Sequence, residues 1–224
     1  MSHGSFVSPA ARDRVRGIAK PIALAMGRIG LTPNALTVIG FIGTLAAAAA
    51  AASQQWTLAG VLVIAFGIFD LFDGALARAT GTTSKFGAFL DSTLDRTGES
   101  LVLAGVAVGC AASNFVEGVL VAGVAAAFAS SVTYTRAKAE SLGLHGEVGV
   151  APRAERLALL AIALIVAGLA GGVGWYANLP GPTDEPLRPG SIPMLIMIGI
   201  IAVFSAVTVV QRILHTKRQL DQQP

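Results

Sequence analysis

Charge is scarce in this sequence. Asp, Glu, Lys and Arg make up 13% of its 224 residues, where an ordinary soluble domain carries roughly 25%. That shortfall excludes a soluble domain of useful size. Aromatic residues are few as well, at 6%. Cysteine occurs once, as Cys110, so no disulfide can close within the chain. Placed at the end of an apolar run, that residue reads as a small buried filler. Residues 1–30 lack the continuous apolar core of a secretory signal, and no solenoid-like repeat recurs.

The remainder is apolar. Hydrophobic residues reach 54% and the mean hydropathy is +0.69. Ala and Gly are abundant, a composition that suits closely packed membrane helices. A pI near 9.4 would suggest nucleic acid in a soluble protein. Here it fits basic loops that face an anionic membrane surface.

Hydropathy places six spans, at about 35–52, 58–79, 86–108, 115–134, 157–173 and 192–210. Thr32-Pro33-Asn34 opens the first, with Pro in the first turn where its missing N–H does no harm. Before it, Val15, Ile18, Ile22, Met26 and Ile29 recur at helical spacing among Arg12, Arg14, Arg16, Lys20 and Arg28. That pattern predicts a basic amphipathic helix on the membrane surface, with a frayed basic tail as the alternative. The loop at 174–191 holds Pro180, Pro182, Pro186 and Pro189 and cannot be helical throughout. The expected fold is therefore an all-α integral membrane protein: a juxtamembrane helix in residues 1–30, one six-helix domain over 31–216 and a polar tail from 217 to 224. Of 16 Lys and Arg, only Arg188 falls in the loops after spans one, three and five. The positive-inside bias then puts both termini in the cytoplasm.

Within this apolar chain one stretch is dense in acid: Asp70-x2-Asp73-Gly74-x2-Ala77-Arg78-x8-Gly87-x3-Asp91-x3-Asp95. A charge within a span costs about 2.5–3.5 kcal/mol on insertion scales, so four carboxylates demand a compensating partner. Asp70 and Asp73 are i and i+3 on one helix. Gly87, Asp91 and Asp95 are i, i+4 and i+8 on the next, so each set shares a face. The short turn Thr80-Gly81-Thr82-Thr83-Ser84 makes the two helices antiparallel neighbours whose faces can meet. Hard divalent cations take oxygen ligands, and two of them would neutralise four aspartates. The expectation is a two-metal site, with Mg2+ or Mn2+, near the cytoplasmic edge of the bilayer.

The surrounding residues admit two readings each. Gly74, Ala77 and Gly87 either let helices approach or let a flat group reach the backbone beside the metals. Arg78 is either a positive-inside anchor or a planar fork for phosphate. Glu99 extends the Asp91/Asp95 face by a turn, as a partner to that site or as a protonated core residue. Arg136, Lys138, Arg153 and Arg156 crowd the segment between spans four and five, and Arg212 ends span six. These five cations are either topology charge or a site for an acceptor that carries phosphate.

The complete acidic pattern resembles the signature of the CDP-alcohol phosphotransferases, every defining position being present over 26 residues. The resemblance implies an enzyme in which an alcohol displaces CMP from a CDP-linked donor to give a phosphodiester. Carried over, Asp70, Asp73 and Asp91 would hold one metal, and Asp95 would join a bridging carboxylate on the second and take the proton of the attacking hydroxyl. Gly74, Ala77, Arg78, Gly87 and Ser84 would surround the cytidine nucleotide, with Pro33, Asn34, Ala35 and Leu36 nearby. Residues 149–156 (Gly-Val-Ala-Pro-Arg-Ala-Glu-Arg) after Tyr134-Thr-Arg-Ala-Lys138 resemble the actinobacterial branch of the family. In that branch CDP-diacylglycerol is joined to inositol phosphate. Pro152 stands where an acidic residue is expected. A phosphatidylglycerophosphate synthase, with glycerol 3-phosphate as acceptor, is the near alternative. The family also implies a homodimer, for which the Gly- and Ala-rich third and fourth spans are available. Outside the enzymes, carboxylates in spans can mark a divalent-cation transporter. All four aspartates lie toward one helix end, however, with no acidic residue deep in the opposite half of any span, and a pathway needs ligands along its length.

Overall fold

The computed structural model describes residues 9–146, 148–150, 152–174 and 188–222, with side chains from residue 17 onward. Among the described residues the chain is helical: α1 (Pro9–Arg28), α2 (Pro33–Ala52), α3 (Trp56–Gly67), α4 (Phe69–Thr80), α5 (Lys85–Ala112), α6 (Val116–Ser141), α7 (Arg153–Leu169) and α8 (Ser191–Leu220). Four segments are long and apolar enough to cross a membrane: α2, the continuous stretch Trp56–Thr80, α6 and α8. The first half of α5 carries Asp91, Asp95, Arg96 and Glu99, and α7 has 17 residues, about 26 Å at 1.5 Å per residue. Most of the Pro-rich loop lies outside the described residues.

Local signals start and stop these helices as their chemistry requires. Thr32 caps α2 by accepting the Ala35 N–H at 3.2 Å, and Pro33 fills the first turn. Ser84 caps α5 by accepting the Gly87 N–H at 2.9 Å. Gly81 ends α4 with φ at 68°, a left-handed conformation in which a Cβ would be strained. The second expected span is interrupted at Ile68, between α3 and α4. This joint lies two residues before Asp70 and five before Asp73, so it sets how their helix is aimed.

The core is built from small residues that let helices touch backbone to backbone. A Cβ on Gly105 would fall 2.3 Å from the Ala48 carbonyl oxygen, and one on Gly60 would fall 2.6 Å from that of Ala161. Those contacts hold α5 on α2 and α7 on α3. Around them Val102, Leu103, Val106, Leu160, Leu164, Met194 and Ile198 are buried. Large apolar side chains such as Ile42, Val61, Leu120, Val203 and Val210 face outward. A soluble domain would bury such residues, whereas lipid accepts them.

On α1, Ala19 and Ala23 are buried against α4 and α2 and Met26 packs on the same cluster, while Ile18 and Ile22 are exposed, because alanine permits the closer helix approach. One expectation is revised: α4 and α5 do not pack as neighbours. Each leans on α2, and they make scarcely any contact with each other. Their carboxylates therefore face across a gap, and that gap is the site.

Candidate active site

Two helices bring three acids together. From the first turn of α4 comes Asp70, and from one face of α5 come Asp91 and Asp95. One ligand oxygen from each lies within 4.8 Å of the others. All three are half-buried. Carboxylate oxygens alone make up this donor set, which fits a hard dication such as Mg2+ or Mn2+. Asp73 stands outside that trio. It is buried, and Thr37 Oγ1 of α2 donates a hydrogen bond to its Oδ2 at 2.6 Å. The same hydroxyl lies 3.1 Å from the Pro33 carbonyl, but it has one proton, and the shorter contact to a charged acceptor takes it. Thr37 was not singled out in the sequence. Its place one turn after Pro33 was the available signal.

Beside the acids is a cleft of about 200 Å³, lined by Pro33, Asn34, Thr37, Asp73, Gly74, Ala77, Arg78, Thr82, Thr83, Ser84, Gly87, Ala88 and Asp91. Thus all but two of the expected nucleotide residues share one wall or another of it. Ala35 spends its N–H on the Thr32 cap, and Leu36 is buried with Ala19, Ala23, Ala75 and Leu76. A Cβ at Gly87 would come within 3.1 Å of Asn34 Oδ1 and of Ser84 Oγ, so glycine keeps this wall open. A wider cleft of about 460 Å³ runs toward α1, sharing Asp73, Gly74, Arg78 and Asp91 and adding Lys20. Arg78 is exposed at the border of the two.

The five basic residues have separate fates. Arg153, the first residue of α7, reaches the acids: its Nη1 lies 2.5 Å from Asp70 Oδ2 and 2.5 Å from Asp95 Oδ2. One helix turn deeper, Arg156 is buried and meets Glu99 through Nε at 2.7 Å and Nη2 at 2.8 Å. Glu99 is thereby the partner of an arginine. Arg212 donates to the carbonyls of Val148 and Val132, tying the loop before α7 to α6. Arg136 pairs with Glu140 on the surface, and Lys138 is exposed. Among the described contacts, Arg153 alone of the five bonds to the aspartates. Sequence distance hid this, since 83 residues separate Arg153 from Asp70.

The chain as a whole is similar to known proteins. The family model for CDP-alcohol phosphatidyltransferases matches residues 30–216. The phosphatidylinositol phosphate synthase of Cutibacterium acnes is 35% identical, over 91% of this chain and 94% of that protein. The archaetidylinositol phosphate synthase of Pyrococcus horikoshii is 32% identical, over 94% and 96%. The crystal structure of Mycobacterium tuberculosis phosphatidylinositol phosphate synthase with CDP-DAG bound aligns with a TM-score of 0.74 at 28% identity, over 89% of this chain and 93% of that one. The same enzyme in complex with manganese and citrate also gives 0.74, over 89% and 88%. By the acidic pattern, the helical scaffold and these matches, the chain belongs to the CDP-alcohol phosphatidyltransferase family.

Proposed function

We propose that this protein transfers the phosphatidyl group of CDP-diacylglycerol to inositol phosphate, releasing CMP and forming phosphatidylinositol phosphate. The observation that carries the reading is the carboxylate trio Asp70, Asp91 and Asp95, set beside the cleft lined by Asn34, Gly74, Arg78 and Gly87. Relatives bearing the same activity in their names support the choice of acceptor.

The acceptor hydroxyl attacks the phosphorus that bears the diacylglycerol, and the bond from that phosphorus to the oxygen shared with CMP breaks. Asp95 takes the hydroxyl proton, and the leaving electron pair departs with CMP. Two dications held by Asp70, Asp73, Asp91 and Asp95 would neutralise the pyrophosphate and stabilise the leaving oxygen. The protein's own contribution is position. Gly74, Ala77 and Gly87 admit the nucleotide, and Arg78 offers its fork to a phosphate. Arg153 and Lys138 attract the phosphate of the acceptor.

The lipid donor enters sideways through the wider cleft. Its acyl chains stay in the membrane beside Ile18 and Ile22, the outward residues of α1. In this reading α2, α3 with α4, α5, α6, α7 and α8 form six spans in the cell membrane. The ends that carry Arg28, Arg78, Lys85, Lys138, Arg153 and Lys217 face the cytoplasm with both termini. The protein acts as a homodimer joined through α5 and α6.

A CMP-release assay tests the reading, using purified protein, CDP-diacylglycerol, Mg2+ or Mn2+, and a panel of inositol phosphate, glycerol 3-phosphate, inositol and serine. Release with inositol phosphate is the expected result. Release with glycerol 3-phosphate alone would reassign the acceptor, and no release with any of the four would overturn the class of reaction.

A further inference from the structure

Arg153 and Arg156 lie one turn apart on α7, yet acids hold them differently. Arg156 makes a two-nitrogen fork with Glu99, and that pair is buried, at 4% and 6% side-chain exposure. Arg153 reaches two carboxylates with the single nitrogen Nη1, and its Nη2 lies 3.4 Å from the Asp95 carbonyl. Its Nε is buried with no hydrogen-bond partner among the described residues. A guanidinium seated for good in an acid cluster would use its fork and leave no buried N–H unmet. Arg153 does neither, and its side chain is 30% exposed.

The carboxylates it takes are also ones a dication would use. Asp70 and Asp95 are two of the three carboxylates that converge within 4.8 Å. Two cations crowded against the same pair of carboxylates repel each other strongly in a part-buried site.

We propose that Arg153 is the exchangeable counter-ion of this cluster. The guanidinium neutralises Asp70 and Asp95 until a dication takes those oxygens. It is then released with its fork open at the site mouth, where it binds the tetrahedral dianion of the acceptor. Dication and acceptor phosphate consequently favour each other's binding, and by linkage each strengthens the other by one common factor. This inference rests on the proposed function for the identity of the anion, whereas the competition at the carboxylates rests on the geometry alone.

The test needs no turnover. Mn2+ is titrated into the full-length protein in detergent without lipid donor, with unbound Mn2+ read by electron paramagnetic resonance. Sulfate, which leaves Mn2+ in solution, stands in for the acceptor phosphate. In the wild type, sulfate should tighten Mn2+ binding about fivefold or more, within the usual range of such couplings, and Mn2+ should tighten sulfate binding equally by calorimetry. Arg153→Met should bind Mn2+ more tightly than wild type and lose the response to sulfate. Independent binding of Mn2+ and sulfate in the wild type overturns the proposal, as does unchanged or weaker Mn2+ affinity in Arg153→Met. The wild-type arm stands even if the variant does not fold. CMP release with inositol phosphate alongside uncoupled Mn2+ and sulfate would leave the function intact and sink the exchange. Coupling in a protein that releases no CMP would do the reverse.

Discussion

Arg153 and Arg156 differ by three positions and both present a guanidinium to an acid of α5, Arg153 reaching Asp70 of α4 as well. One pair, Arg156–Glu99, is buried and satisfied on both sides. The other, Arg153 with Asp70 and Asp95, is part-exposed, with three groups competing for one another. The difference follows from depth. Arg156 and Glu99 are only 4% and 6% exposed, so the pair acts as a structural rivet between α5 and α7. Arg153 and Asp70 are 30% and 27% exposed, so partners can be exchanged there and the same chemistry becomes available for a reaction.

That contrast can be broken most severely at the acid itself. Asp95→Asn should lower CMP release by about 10²–10⁴-fold, the usual span for losing a general base, while CMP binding by calorimetry stays measurable. Near-normal release would remove Asp95 from the proton transfer. The buried pair should answer in stability instead. Glu99→Gln removes the carboxylate that the buried Arg156 guanidinium faces and should cost about 3–5 kcal/mol, read as a lower melting temperature in detergent. The double change Glu99→Met with Arg156→Met should recover much of that loss. An unchanged melting temperature in Glu99→Gln would erase the distinction between the two arginines. Thr37→Val should cost about 1.5–3 kcal/mol through its hydrogen bond to the Asp73 carboxylate, seen as weaker CMP binding. Identical CMP affinity would mean that Asp73 does not need Thr37 for its placement. The smallest effect is expected at the surface. Lys138→Gln should raise the KM for inositol phosphate and leave that for CDP-diacylglycerol unaltered. Equal change in both would place Lys138 outside the acceptor's path.

Much of the acid arrangement was legible from spacing. Asp91, Asp95 and Glu99 recur every four residues, which on any α-helix means one face. Thr32-Pro33-Asn34 announced the start of α2, since a cap followed by Pro in the first turn is a local event. The capping of α5 by Ser84 emerged only in the structure. The break at Ile68 was not legible, because no Pro or charged residue marks it within a uniformly apolar run. The indirect meeting of α4 and α5 was missed for another reason. A short turn suggests neighbours, but α2 packs between them, drawn in by close contacts such as Gly105 on Ala48.

By itself, the order of residues determined which groups share a helix face, where the helices begin, how apolar the chain is and which family it joins, since all of these depend on neighbours a few positions away. Only the tertiary structure decided which of five cations reaches the aspartates, that Glu99 receives Arg156, and that Thr37 holds Asp73. Those pairings span 36 to 83 residues. They depend on how closely small residues let one helix approach another, which no local pattern encodes.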